Sequence, residues 1–465
     1  MNHETHYAAA TRPVETCVVG SGGFGRSFLA QALRIPLIHA RVAVDREADI
    51  AAAALRSIGL DESRIAVCNT AAQATAAWER GQHIAAADVT VVLGLPLDLL
   101  IEATGHPEAG ARHARLAIEA GLHVALASKE VDSVIGSELA RLAQGRGKVV
   151  TPVDGDQPAL LIGLVTWART LGLQVVAAGK SSEYDFVFDQ DAGTIDSNGE
   201  RIPVSGFDKL WTLGGGNAGT LARARAQACA ALPQRAVPDL CELLVVANST
   251  GLVPDRPTLH APIARITEVP TFFAREGDGG LLASSGSLDV FHCLRAPDEV
   301  SLAGGVFVVV RCDDEETWRL LAGKGHIMSR DNRHAMLPIP RHLLGLEAAT
   351  SVLDAVLHGR SSGAQQPRPV LDLVPRATRT LKAGGLLEMG GHHHTIDGTT
   401  AELLPAAALG PGVPVPFYLA ANRRLVRDVA AGQPVCFDDI EIETDSELLA
   451  LRRSQDAHFF PATAA

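Results

Sequence analysis

The stretch Glu15–Phe28, E-T-C-V-V-G-S-G-G-F-G-R-S-F, constrains this chain more than any other. Cys17-Val18-Val19 is a short apolar run that predicts a buried strand, and a helical pattern follows from Phe24 to about Leu33. Between them Gly20, Gly22 and Gly25 form G-x-G-x-x-G at a strand-to-helix turn. Gly20 permits the tight turn, Gly22 lets a pyrophosphate approach the backbone, and Gly25 lets helix and strand pack closely. Gly23 and Phe24 begin a helix whose N-terminal N–H groups and dipole favour phosphate. A second strand, Ala40–Val44, ends in Asp45, 20 residues past Gly25, where a carboxylate can hold ribose hydroxyls. The stretch therefore predicts a dinucleotide site. Asp45 favours NAD, whereas Arg46 can stack on adenine or pair with a 2′-phosphate, so NAD and NADP both stay open.

The rest of the chain extends this start into an α/β fold. Strands and helices alternate over 14–153, which predicts a Rossmann-like, doubly wound parallel sheet. Longer connections over 154–365 predict an α+β substrate domain. A linker-like run, Ser361–Pro367, precedes a small β-rich module at 368–450. Residues 1–13 and the tail after Arg453 are expected to be loose. Ligands of such sheets bind at the carboxyl ends of strands. The runs Gly20–Arg26, Thr104-Gly105-His106, Ser128-Lys129-Glu130 and Asp154–Gln157 all follow predicted strands and can meet in one crevice.

Bulk properties narrow the function. A net charge of −12 argues against nonspecific nucleic-acid binding. No apolar run reaches the ~18 residues of a membrane span, and Met1–Pro13 lacks the apolar core of a secretory signal. Seven cysteines at irregular spacings, with no C-x-x-C, point to reduced thiols and a cytoplasmic location.

Several polar runs are candidates for chemistry. Lys129 at a strand end can bind a substrate oxygen and assist proton transfer, although from the residues alone a charge at a helix start is the simpler reading. Strand alternation would put Asp154 and Asp156 on one face, suited to Mg²⁺ or Mn²⁺ or to a polyol; a polar turn is the competing reading. Lys180, Ser181 and Ser182 can bind a phosphate or carboxylate, or form an exposed polar loop. Glu242 and Asn248 lie on one apolar helical pattern and can reach a site from its two ends, while Cys241 reads as a packed thiol. Arg341 and His342 are placed at the N-terminus of a helix over 342–357, where anions are favoured. His392-His393-His394 reads as a solvated turn, because consecutive side chains of a strand alternate in direction.

With those residues laid out, the chain resembles the deoxyxylulose-phosphate reductoisomerase-like (DRL) oxidoreductases. The likeness rests on G-S-G-G-F-G, E-A-T-G-H-P, A-S-K-E, P-V-D-G-D-Q-P-A-L, G-K-S-S-E-Y-D and R-H-L-L-G-L-E. Its cofactor domain also resembles that of homoserine dehydrogenases, and 368–450 resembles an SAF module. The resemblance implies an NADPH-dependent homodimer of isoprenoid precursor synthesis. It also implies that Lys129 is catalytic and that Asp154 and Asp156 hold a divalent metal, with Lys180 and Glu242 assisting. This chain departs from the reductoisomerase pattern, Asp-Ser-Glu-His, by carrying Asp156 and Gln157 in its last two places. Two rivals stay open: a metal-free dehydrogenase of a homoserine-like or sugar-acid substrate, and a non-enzymatic cofactor sensor.

Overall fold

A computed structural model describes residues 2–311, 313–391 and 394–461. Among them, strands β1 (Val14–Val19), β2 (Ile38–Val44), β3 (Ile65–Val67), β4 (His83–Ala86), β5 (Leu99–Glu102), β6 (His123–Leu126) and β7 (Val150–Pro152) form one sheet. It is parallel throughout, in the order β3-β4-β2-β1-β5-β6-β7. Alternation along β1 serves two cores: Cys17 and Val19 face one, Val14 and Val18 the other. The apolar runs noted in the sequence are the strands of this doubly covered sheet.

Helices α1 (His3–His6), α2 (Gly23–Ala32), α3 (Ala48–Ser57), α4 (Ala71–Glu79), α5 (Pro107–Glu119) and α6 (Lys129–Gln144) accompany these strands. Then α7 (Gln157–Thr170) leads into the second domain. Its sheet is mixed. It uses β8 (Gln174–Ser181), β9 (Phe186–Asp189), β10 (Thr194–Ser197) and β11 (Glu200–Pro203), and the short β12 (Val253–Pro254) and β13 (Ile263–Ala264). It continues with β14 (Ser287–Arg295), β15 (Val306–Arg311), β16 (Ile327–Met328) and β17 (His334–Ile339). Helices α8 (Ala218–Ala228), α9 (Val237–Thr250), α10 (Val269–Phe272), α11 (Glu315–Gly323) and α12 (Ala349–His358) complete it. Of these, α9 packs on α6 and α7, and α12 packs on β1, β6 and β7.

The C-terminal region pairs β18 (Leu371–Ala377) with β21 (Thr399–Pro405), beside a minor pair, β19 (Met389–Gly390) and β20 (Thr395–Ile396). Helices α13 (Phe417–Ala420) and α14 (Glu447–Phe459) complete it. Of the tail expected to be loose after Arg453, residues 454–459 form the second half of α14, which lies on α5 and α6, and 462–465 lie outside the described residues. Buried Arg452 holds α14 to β18 by a two-pronged pair with Asp372, at 2.6 and 2.8 Å. Within the described part of the N-terminal segment, Tyr7 is buried in the core shared by α2 and α12. Among the described residues, no helix is long and apolar enough to cross a membrane.

Candidate active site

The glycine turn lies where β1 leaves neighbours on either side, β2 and β5, the point at which such sheets open a crevice. A cavity of about 620 Å³ sits there, lined by Gly20, Gly22, Asp45, Arg46 and Thr104 among others. Gly20 has φ +93°, and a Cβ on it would stand 2.6 Å from the Ala103 carbonyl. A Cβ on Gly25 would overlap the Gly20 carbonyl oxygen, whereas one on Gly22 meets nothing within 4 Å. Two glycines therefore close the turn, and the third leaves space in front of the N-terminus of α2. Asp45 accepts from Ser21 N at 2.8 Å, Ser21 Oγ at 2.5 Å and Arg46 N at 2.8 Å. It thus braces the turn from β2 while lining the cavity. Phe24, counted with the cofactor residues in the sequence, instead packs against the core, because it sits on the inward face of α2.

A second group continues along the same edge. Gly105 N donates to Ser128 Oγ at 2.8 Å, which ties the turn after β5 to the start of α6. The next residue, Lys129, pairs with Glu242 and lies 3.6 Å from Asp156 Oδ1. Glu242 also pairs with Lys180, which is 2.7 Å from Asp239 Oδ1. Ser182 Oγ donates to the other oxygen of Asp239 at 2.8 Å. A chain of alternating charge thus joins α7, α6, α9 and β8. Asp239 was not singled out as a site residue in the sequence; its signal is the i,i+3 spacing to Glu242, which puts both carboxylates on one face of α9.

Burial and charge act against each other here. Burial opposes the Lys129 ammonium, but Asp156 and Glu242 overcome it and hold its pKa well above the ordinary value. Lys180 is pushed up to about 12 by Asp239 and Glu242 despite complete burial. Burial would raise Glu242, yet the two lysines bring it down to about 2. The lysines differ in access: the Lys129 side chain is 23% exposed and that of Lys180 only 2%. Cys241 is a packed thiol, as its lack of a histidine partner suggested; burial raises its pKa and its Sγ donates to Lys129 O.

Other expectations are corrected. Asp154 and Asp156 do not share a face, because the turn at Gly155 (φ +86°) breaks the strand alternation. Asp154 Oδ2 accepts from Thr350 Oγ1 at 2.6 Å and its N–H donates to Ser351 Oγ, so it anchors α12. Asp156 caps α7 and faces Lys129. The paired metal ligands are therefore not formed. Among the described residues, the group of ligating side chains that comes together is His6, Asp354 and His358, within 4.8 Å.

Ser181 is fully buried in β8, so it offers nothing to a substrate. Asn248 Oδ1 accepts from Val370 N at 2.8 Å and fastens the C-terminal region to α9. The helix expected from His342 starts only at Ala349, because Leu344 takes φ +53° and its carbonyl closes on Gly155. Arg341 is consequently an exposed loop residue. His342 Nδ1 bonds to Gly304 O at 2.9 Å, and a Cβ on Gly304 would lie 2.6 Å from its ring and 3.2 Å from Gln157 Nε2. Buried Gln157, beside Asp156, keeps Oε1 without a partner. His392 and His393 lie outside the described residues, and His394 Nδ1 is 3.0 Å from Tyr418 Oη.

Residues 155–202 and 238–348 match the family model for the catalytic domain of the oxidoreductase DRL. That span holds Asp156, Lys180, Asp239, Glu242 and His342. No curated protein matches the chain. Among solved structures, a biliverdin reductase from Synechocystis, in complex with biliverdin and NADP⁺, is 18% identical over 39% of this chain and 49% of its own, with a TM-score of 0.25. The chain thus spans about half the length of that protein. UDP-N-acetylglucosamine 3-dehydrogenase GnnA from Acidithiobacillus ferrooxidans is 14% identical over 76% of this chain and 91% of its own, TM-score 0.37. A DOX-P reductoisomerase in complex with magnesium is 16% identical over 37% and 46%, TM-score 0.27.

Proposed function

We propose that the chain is an NAD(P)-dependent oxidoreductase that reduces a carbonyl, or oxidises the matching hydroxyl, of a small polar substrate. The observation that carries this is Lys129: it sits one residue beyond the Ser128–Gly105 link to the cofactor cavity, and carboxylates keep it charged. The cavity fits a dinucleotide because the glycines remove side chains from the turn and Asp45 stands at its ribose end. A bound nicotinamide would supply the hydride. Lys129 is held protonated at neutral pH, so it serves as hydrogen-bond donor and acid to the substrate oxygen, which suits carbonyl reduction. Lys180 is sealed away and positions Glu242.

The reductoisomerase reading leaned on a metal held by Asp154 and Asp156. Their separate partners favour instead the metal-free dehydrogenase, with Lys129 beside Asp156 as the group that meets the substrate oxygen. The SAF-like module then serves as backing for α6 and α9. The test is a panel of sugar, sugar-acid, amino-alcohol and deoxyxylulose-phosphate substrates with NADH and NADPH, with and without chelator. Turnover that survives the chelator and falls at least a hundredfold in K129M supports the proposal. Nicotinamide binding that is unchanged in G25V would remove its foundation.

A further inference from the structure

The opposite edge of the parallel sheet holds a second cavity, of about 380 Å³. It opens where β2 and β4 begin, away from the strand ends that carry the glycine turn and Lys129. Arg34, His39, Arg41, Arg64 and His83 line it, and no carboxylate does. This clustering runs against the −12 charge of the whole chain. The rim residues Arg34 and Arg64 are exposed and form no ion pair among the described residues. His39 is held by Glu15 on β1 at 3.1 Å.

The floor is unusual in its unmet hydrogen bonds. The Arg41 guanidinium lies 3.8 Å over the Trp78 ring and donates from Nη2 to Trp78 O, yet its Nε is buried without a partner. His83 is 6% exposed, and its Nδ1 has no partner either. Burial, then Arg64, Arg41 and His39, lower the imidazole pKa to about 4. A buried imidazole nitrogen and a guanidinium nitrogen without partners, under two guanidiniums without ion pairs, leave desolvation only partly compensated.

We propose that this cavity binds a compact anion of two or more charges, a phosphate ester or polycarboxylate, as a second ligand site distinct from the dinucleotide cleft. The anion would accept from the Arg41 guanidinium and the His83 imidazole at the floor and from Arg34 and Arg64 at the rim. Leu33, Ile35 and Pro36 form an apolar wall for the remainder of the ligand. Because both sources share the anionic group, two probes separate them.

The experiment uses the full chain carrying ¹³C-labelled histidine and saturating NAD⁺, with His83 assigned by its loss in H83Q. Pyrophosphate and citrate are titrated separately across pH 4–8. Either anion should raise the His83 pKa by about one pH unit or more, and R34A/R64A should weaken its binding at least tenfold while NAD⁺ binding stays unchanged. Response to one probe alone identifies the source. A His83 signal indifferent to both anions, or undiminished binding in R34A/R64A, overturns the proposal.

Discussion

Replacing Glu242 by glutamine tests the charge network at its centre. Glu242 is buried between two ammonium groups, and its pKa falls from 4.5 to about 2. At about 1.4 kcal/mol per pH unit, that shift corresponds to about 3 kcal/mol of native-state stabilisation. The sign follows from a depressed carboxyl: the contribution is complete above pH 4.5 and is lost as pH falls from 4.5 through 2. Glutamine forfeits it at neutral pH and leaves Lys180 facing Lys129 with only Asp239 and Asp156 as counter-charges. Removing one partner of a buried pair costs about 3–5 kcal/mol, in agreement with the shift. Urea unfolding at pH 7, followed by circular dichroism, should show a loss of about 3 kcal/mol in E242Q. The double variant K180M/E242Q should lose less than the two single variants together, because methionine removes the charge that glutamine strands. Stability within 1 kcal/mol of wild type in E242Q, or strict additivity in the double variant, would refute the network as drawn.

Glu130 behaves in the opposite sense: burial raises its carboxyl to about 7, against the pull of Lys129. A raised acid contributes stability below pH 4.5 that fades as pH climbs through 7, so wild type minus E130Q should fall by about 3 kcal/mol over that window in unfolding titrations. A flat difference would contradict the burial assigned to this side chain. N248A should cost about 1–3 kcal/mol in urea unfolding, since Val370 N loses its acceptor, and should leave the substrate KM unchanged. A raised KM with unaltered stability would return Asn248 to the substrate site. In K129M, substrate turnover should fall while NAD(P)⁺ affinity, measured by calorimetry, stays within twofold, because Lys129 does not line the cavity at the glycine turn.

The first domain was legible because its information is local. Short strand-like runs, such as Ala40–Val44, and a glycine turn at Gly20–Gly25 specify strand, turn and helix through local backbone sterics. Strand direction then follows, since parallel pairing puts the residues after β1, β2, β5, β6 and β7 on one edge. Lys129 at that edge was therefore visible in the sequence, and so was Glu242 as a candidate.

Which charges meet was decided by tertiary packing. Lys129 and Glu242 are 113 residues apart and Lys180 and Glu242 are 62 apart, and they meet only because α9 packs on α6 and beside β8. The D-G-D run looked like two ligands on a strand face, but the positive φ of Gly155 sends Asp154 to α12 and Asp156 to Lys129. Asn248, at the end of the same helix as Glu242, turns to the C-terminal region, where it accepts from Val370 N. The sequence by itself determined the glycine turn and the sheet edge, through steric rules that act over a few residues. Only the three-dimensional packing decided the pairing of lysines with carboxylates, because a buried charge takes whatever counter-charge the neighbouring helix brings within reach.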